Sequence, residues 1–155
     1  IGDRADSLFL RRKAAPLGAE ELKSEYFRRL KQGMLLTVRD TADEGVGIAA
    51  PQVGVSRRLI AVQRFDKPGE PFECYVNPEI VGRSAARTAG RGGGLSVPET
   101  SGTVLRADRI VLRYLDETTM RPVTDTVEGF TAVIFQHEID HLDGVLFIDR
   151  MQRGN

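Results

Sequence analysis

The sequence predicts an α+β fold in which strands pack around one central helix, and three observations carry that expectation. Apolar residues recur every four positions from Leu22 to Val38. Short runs of β-branched character follow, RLIAVQ at 58–63 and RIVLRYL at 109–115. A spacing of three and four then returns from Phe130 to His141.

The first expected element is one long amphipathic helix from Ala19 to about Asp40. Leu22, Tyr26, Leu30, Met34 and Val38 form its stripe, Phe27 and Leu35 widen it, and Gly33 weakens it slightly. The glycines and proline of GVGIAAPQVG (45–54) then read as a turn. Strands are expected at 58–63, 73–76, 80–82, 109–115 and 122–127, with DETT (116–119) as the hairpin turn between the last two. The closing helix carries Phe130, Val133, Ile134, His137 and His141, and Gly144 sits where a C-terminal cap belongs. The 155 residues contain no repeat, no low-complexity stretch and no linker, so a single domain over 1–155 is expected.

Composition narrows the partners. Twenty-two basic side chains balance 22 acidic ones, which gives no electrostatic reason to expect nucleic acid or an anionic membrane. The one cysteine, Cys74, permits no internal disulfide and is compatible with a reducing cytosol. No apolar run has the length of a membrane span, and the first residues lack a signal-peptide core, so the expected location is the cytoplasm.

The chemistry sits in QHEIDHLDG (136–144). HEIDH is an H-E-x-x-H pattern within a predicted helix, where residues four apart project from one face. His137 and His141 can therefore offer imidazole nitrogens to one divalent ion, with Glu138 beside it to take and return a proton. These are the only two histidines in the chain. Asp140 and Asp143 are placed either to orient the imidazoles or to face water and cap backbone groups. Two histidines leave such a site one ligand short, because catalytic zinc sites usually have three protein ligands.

The chain resembles the peptide deformylases from roughly Ile1 to Met151. Three blocks carry the resemblance in order: GVGIAAPQVG (45–54), GGGLSVP (92–98) and QHEIDHLDGVLFIDR (136–150). It implies the deformylase fold, antiparallel sheets around the helix carrying HEIDH, and removal of the formyl group from N-formylmethionyl peptides by iron or zinc. By position, it makes His137 and His141 metal ligands and Glu138 the general acid/base. Gln52 and the backbone N–H of Leu95 become oxyanion donors, while Gly47, Gly94 and Ser96 fall at substrate-lining positions. The implied partner is an N-formylated peptide or a small formyl amide lying as an added strand beside the GGGLSVP edge. The chain ends soon after Asp149, so the extended C-terminal helix of some relatives is not expected.

One position departs from the pattern. The family's second block reads EGCLS, its cysteine being the third metal ligand; here Gly94 stands at the cysteine and Gly92 at the glutamate. Read alone, three glycines are a tight turn or a loose approach to a strand. Within the resemblance they delete a ligand, so metal is held by two histidines with water or an exogenous ligand, or is weakly bound or absent. Cys74 is the other sulfur, more simply read as a buried, inert thiol. Three functional expectations follow: a metal-dependent amidohydrolase acting on formyl amides, a catalytically impaired homologue that binds peptide or a partner, and a specialised biosynthetic amidohydrolase. The ion and the oligomeric state are left open.

Overall fold

The computed structural model describes residues 12–40, 45–91 and 103–145. In place of one helix over 19–40 there are two, α1 (Ala19–Leu22) and α2 (Glu25–Asp40). Ser24 makes the break: its hydroxyl donates to the Glu21 carbonyl at 2.6 Å and accepts from the Phe27 N–H at 3.2 Å. It thereby ends α1 and caps α2, a competition for backbone groups that serine wins at helix ends. The restart sets the buried stripe of α2 at Phe27, Leu30, Met34 and Val38. Tyr26, expected in that stripe, is 55% exposed.

Five strands form an antiparallel sheet in the order β1-β2-β3-β6-β7, and two more, β4 and β5, form a separate ribbon. The strands are β1 (Gly47–Ala49), β2 (Leu59–Gln63), β3 (Phe72–Arg83), β4 (Arg87–Arg91), β5 (Thr103–Ala107), β6 (Arg109–Leu115) and β7 (Pro122–Glu128). β3 replaces the two strands expected at 73–76 and 80–82. Its ladder to β6 slips between Val76 and Glu79, around Asn77, which takes φ of 50°. The Asn77 side chain repays that conformation by accepting from Leu17 N–H at 2.7 Å and donating to Leu17 O at 3.0 Å. The β6–β7 turn forms at DETT as expected, with Asp116 Oδ1 accepting from the N–H groups of Thr118 and Thr119.

Side chains alternate across the sheet and divide the core in two. Leu59, Ala61, Cys74 and Val76 point to α2, where they meet Phe27, Leu30, Met34 and Val38. Ile60, Val62, Tyr75, Ile110, Leu112 and Val127 point the other way, against the last helix, α3 (Gly129–Leu142). Residues 131–140 of α3 are all buried, so the helix is central as expected. Each large apolar side chain so buried contributes about 1.5–3 kcal/mol. Phe130, expected on its apolar stripe, is instead half exposed at the start of the helix, tilted against Phe65.

The end of α3 is firmly made. Gly144, at φ 75°, donates to His141 O at 3.2 Å, and Val145 donates to Asp140 O at 2.8 Å, the paired bonds of a Schellman cap. Arg58 adds a cation at the negative end of the helix, bonding Leu142 O at 3.2 Å and Asp143 at 2.9 Å. Asp143 is thus tied to Arg58 at the helix end.

Candidate metal centre and active site

The Schellman cap fixes the last turns of α3, and those turns carry His137, Glu138 and His141. The two imidazoles lie one turn apart, ring centroids 4.9 Å from each other and planes at 85°. For two imidazoles sharing an ion at about 2.0–2.1 Å per nitrogen and near-tetrahedral angles, the ring centres stand about 5 Å apart. The pair therefore fits a single small divalent ion. His137 is buried and His141 half-buried.

Glu138 is wholly buried, and β1 lies directly against it. A Cβ built on Gly47 would stand 2.8 Å from Glu138 Oε2 and 2.9 Å from Ile134 Cγ2. Gly47 does not have a left-handed φ, so space rather than backbone freedom demands glycine here. The residue expected to line the substrate also makes room for the carboxylate.

Gln52 lies in a 3₁₀ turn, Ala50–Val53, that follows β1 and packs against α3. Its Oε1 accepts from the Ala49 N–H at 2.8 Å. Because an N–H can only donate, the atom bound there is the carbonyl oxygen, and this bond does not use the side-chain NH₂. Gly54, at φ 85°, ends the turn and fixes the glutamine between two constrained positions.

The neighbours of the HEIDH face were not assigned from sequence. Asp140 forms a buried ion pair with Arg106 of β5 at 3.0 Å. Gln136, one turn earlier, accepts from Ala107 N–H at 2.9 Å and donates to Ala107 O at 2.8 Å. A glutamine next to HEIDH was the only sequence signal for the second contact. The arginine is one of many, and nothing in the chain marks it.

Cys74 lies on the α2 face of the sheet, opposite the histidines, and burial pushes its thiol up to about 11. It is partly rather than fully buried, and it lies on the sheet face away from the helix that carries the histidines. Among the described residues no group of three or more His, Cys, Asp and Glu is placed to hold a metal. Gly92, Gly94, Leu95 and Ser96 lie outside the described residues. Also among the described residues, no helix is long and apolar enough to cross a membrane.

An imidazole pair and a buried carboxylate on one central helix, flanked by a capped amide, define a metal-dependent hydrolase of the H-E-x-x-H type. Comparison with known proteins makes the class specific. Residues 3–155 match the model of the polypeptide deformylase family, and the chain belongs to that family of metal-dependent hydrolases that remove N-formyl groups. A peptide deformylase of Prochlorococcus marinus (strain NATL2A) is 38% identical over 149 residues, 90% of this chain and 72% of the relative. One from Alkalilimnicola ehrlichii is 42% identical over 140 residues, covering 90% of this chain and 75% of the relative. Among solved structures, the actinonin-bound class I type b peptide deformylase from Acinetobacter baumannii superposes with a TM-score of 0.79 at 40% identity, covering 92% of each chain. The enzyme from Thermotoga maritima gives 0.76 at 34% identity over 92% of this chain and 90% of its own. The fold and the α+β class are those expected from the sequence.

Proposed function

We propose that this chain, as a single cytoplasmic domain, removes the formyl group from N-formylmethionyl peptides, with an Fe²⁺ or Zn²⁺ ion held by His137 and His141. The observation that supports this most is the imidazole pair spaced for one ion beside a fully buried Glu138. The ion would supply the Lewis acidity that makes water a nucleophile at neutral pH. Glu138 takes the proton from that water and returns it to the departing amine, which is general acid–base work by one carboxylate. Gln52 offers its side-chain NH₂ to the oxygen that gains charge, and the Leu95 backbone N–H is the second donor, each contributing a few kcal/mol to barrier lowering. Gly47, Gly94 and Ser96 line the peptide, which pairs as an extended strand. A peptide substrate accords with the Acinetobacter baumannii enzyme, which has been solved with Met-Ala-Ser bound.

Gly94 decides the metal's strength of binding. With no thiolate at this position His137 and His141 would hold the ion with one protein donor fewer, so affinity would be expected to drop. Protein purified without oxygen and supplied with Fe²⁺ or Zn²⁺ is expected to bind one equivalent and release formate from formyl-Met-Ala-Ser. Gly94→Cys, alone or with Gly92→Glu, is expected to tighten metal binding at least tenfold. An inert protein that takes up no stoichiometric metal, and gains none in Gly94→Cys, overturns the proposal.

A further inference from the structure

Among the described residues the ribbon β4–β5 pairs with no strand of the five-stranded sheet; its base is joined to β6 by Ser84 N–H to Arg109 O at 2.9 Å, and two strands alone are marginal in water. Its placement depends on what holds its base. Ala107 and Arg87 face each other across the ribbon, and the next residue, Asp108, donates to Ala86 O at 3.0 Å. Ala107 therefore turns its own N–H and C=O away from β4, and the Gln136 amide meets both, as a third strand would. One residue earlier, Arg106 reaches Asp140, one turn further along α3. Gln136 and Asp140 are interleaved with His137 and His141, so one stretch of helix holds the ribbon on one face and presents the imidazoles on the next. The start of α3 adds a backbone bond, Gly129 N–H to Asp108 O at 2.9 Å.

We infer that Gln136 and Arg106 are positioning residues for the deformylase reaction: together they clamp the β4–β5 ribbon to the metal-binding helix and so fix the strands that bracket residues 92–102. The inference rests on the active site proposed above. Strand β5 runs on the order of 13 Å from Ala107 to Thr103. A tilt of about 10° at its base would shift the far end by roughly 2 Å, and a misplacement of about 1 Å can cost roughly a hundredfold in rate. A clamp at the base therefore controls catalysis without touching substrate.

The test uses the whole chain, loaded with Zn²⁺, in two variants. Gln136→Met removes both bonds to Ala107 while keeping the buried volume. Arg106→Lys keeps a positive charge for Asp140 but loses the guanidinium geometry, and it serves as the milder variant should Gln136→Met fail to fold. Amide hydrogen exchange is expected to quicken at least tenfold in β4 and β5 while β2, β3 and α3 keep their protection. Zn²⁺ affinity should stay within about twofold, and kcat/KM for formyl-Met-Ala-Ser should fall at least tenfold, with Arg106→Lys showing the smaller change in each. Faster exchange spread evenly over the molecule would mean ordinary structural support and overturn the inference, as would unchanged exchange in the ribbon or full activity with a loosened ribbon. If the parent chain itself releases no formate, the proposed function fails, while the exchange pattern still decides whether the clamp exists.

Discussion

The two faces of the five-stranded sheet carry different burdens. On the α2 side the buried layer is apolar: Leu30, Met34, Val38, Leu59, Ala61 and Val76 interlock without a buried charge among them. On the α3 side the same sheet covers Gln136, His137, Glu138 and Asp140, and Arg64 and Arg106 are buried at its margins. Arg64 shows how that side tolerates charge. Its guanidinium bonds Asp66 twice, at 2.8 and 2.9 Å, reaches Tyr75 at 2.8 Å, and lies 5.6 Å from the centroid of the Phe135 ring. One face is built for stability, and it supports a second face on which ionisable groups are kept where water would otherwise dilute them.

The largest expected effect that tests this division is on the α3 side. Glu138→Gln should lower kcat for formate release by about 10²–10⁴, or about 3–5 kcal/mol of barrier, with zinc content unchanged. Steady-state kinetics with metal analysis reads both. On the α2 side, Met34→Ala should lower unfolding stability by about 2–5 kcal/mol in a urea titration while leaving kcat per folded molecule as it was. Activity loss in Met34→Ala without loss of stability would break the contrast.

A smaller effect separates space from substrate contact at Gly47. Gly47→Ala sets a methyl against Glu138 and Ile134 and should cost about 1–3 kcal/mol of stability as overpacking, together with displacement of the carboxylate. In a Glu138→Ala background the part of that penalty due to the carboxylate should vanish while the Ile134 contact remains, so a double-mutant cycle by denaturation should show a non-zero coupling. Penalties that simply add would place the role of Gly47 elsewhere.

The smallest effect concerns acid. The hydrogen bond from Arg64 holds Asp66 below its ordinary range. For Glu73, burial pushes upward but is outweighed by hydrogen bonds from Tyr75 and Lys67, so it too is lowered. A depressed carboxylate stabilises the fold fully above its unfolded value of about 4, and that contribution is lost as pH falls through the lower folded value. Stability measured between about pH 5 and pH 2 should therefore decline with acid, and Arg64→Met should make the decline shallower by returning Asp66 to its ordinary range.

Much of this was legible in the chain, for identifiable reasons. The HEIDH helix and its end at Gly144 could be read because their contacts are local, three or four residues apart. β2, β6 and β7 announced themselves through apolar, β-branched runs. The ribbon did not: RTAGR offers no apolar alternation, and its pairing with 103–107 depends on the helix it leans on. β1 was hidden because its three residues are buried on both sides and sit among turn-forming glycines. The split at Ser24 was a contest between a stripe and a cap, and periodicity alone favoured the stripe. Within the site, Gln136 meets Ala107 across 29 residues and Arg106 meets Asp140 across 34, separations at which one sequence does not show which residues pair.

The cap at Gln52 carries a consequence for selectivity. With Oε1 bound to the Ala49 N–H, the side chain cannot reverse its amide without forfeiting a backbone bond, so in the oxyanion-binding role proposed for Gln52 the NH₂ is the group it would offer. A ligand whose facing group accepts a hydrogen bond gains a partner there. One that presents an N–H or O–H leaves two donors opposed and is disfavoured by about 1–3 kcal/mol. In that proposed role, discrimination between a carbonyl and a protonated nitrogen would rest on a three-residue local bond, made before any ligand arrives.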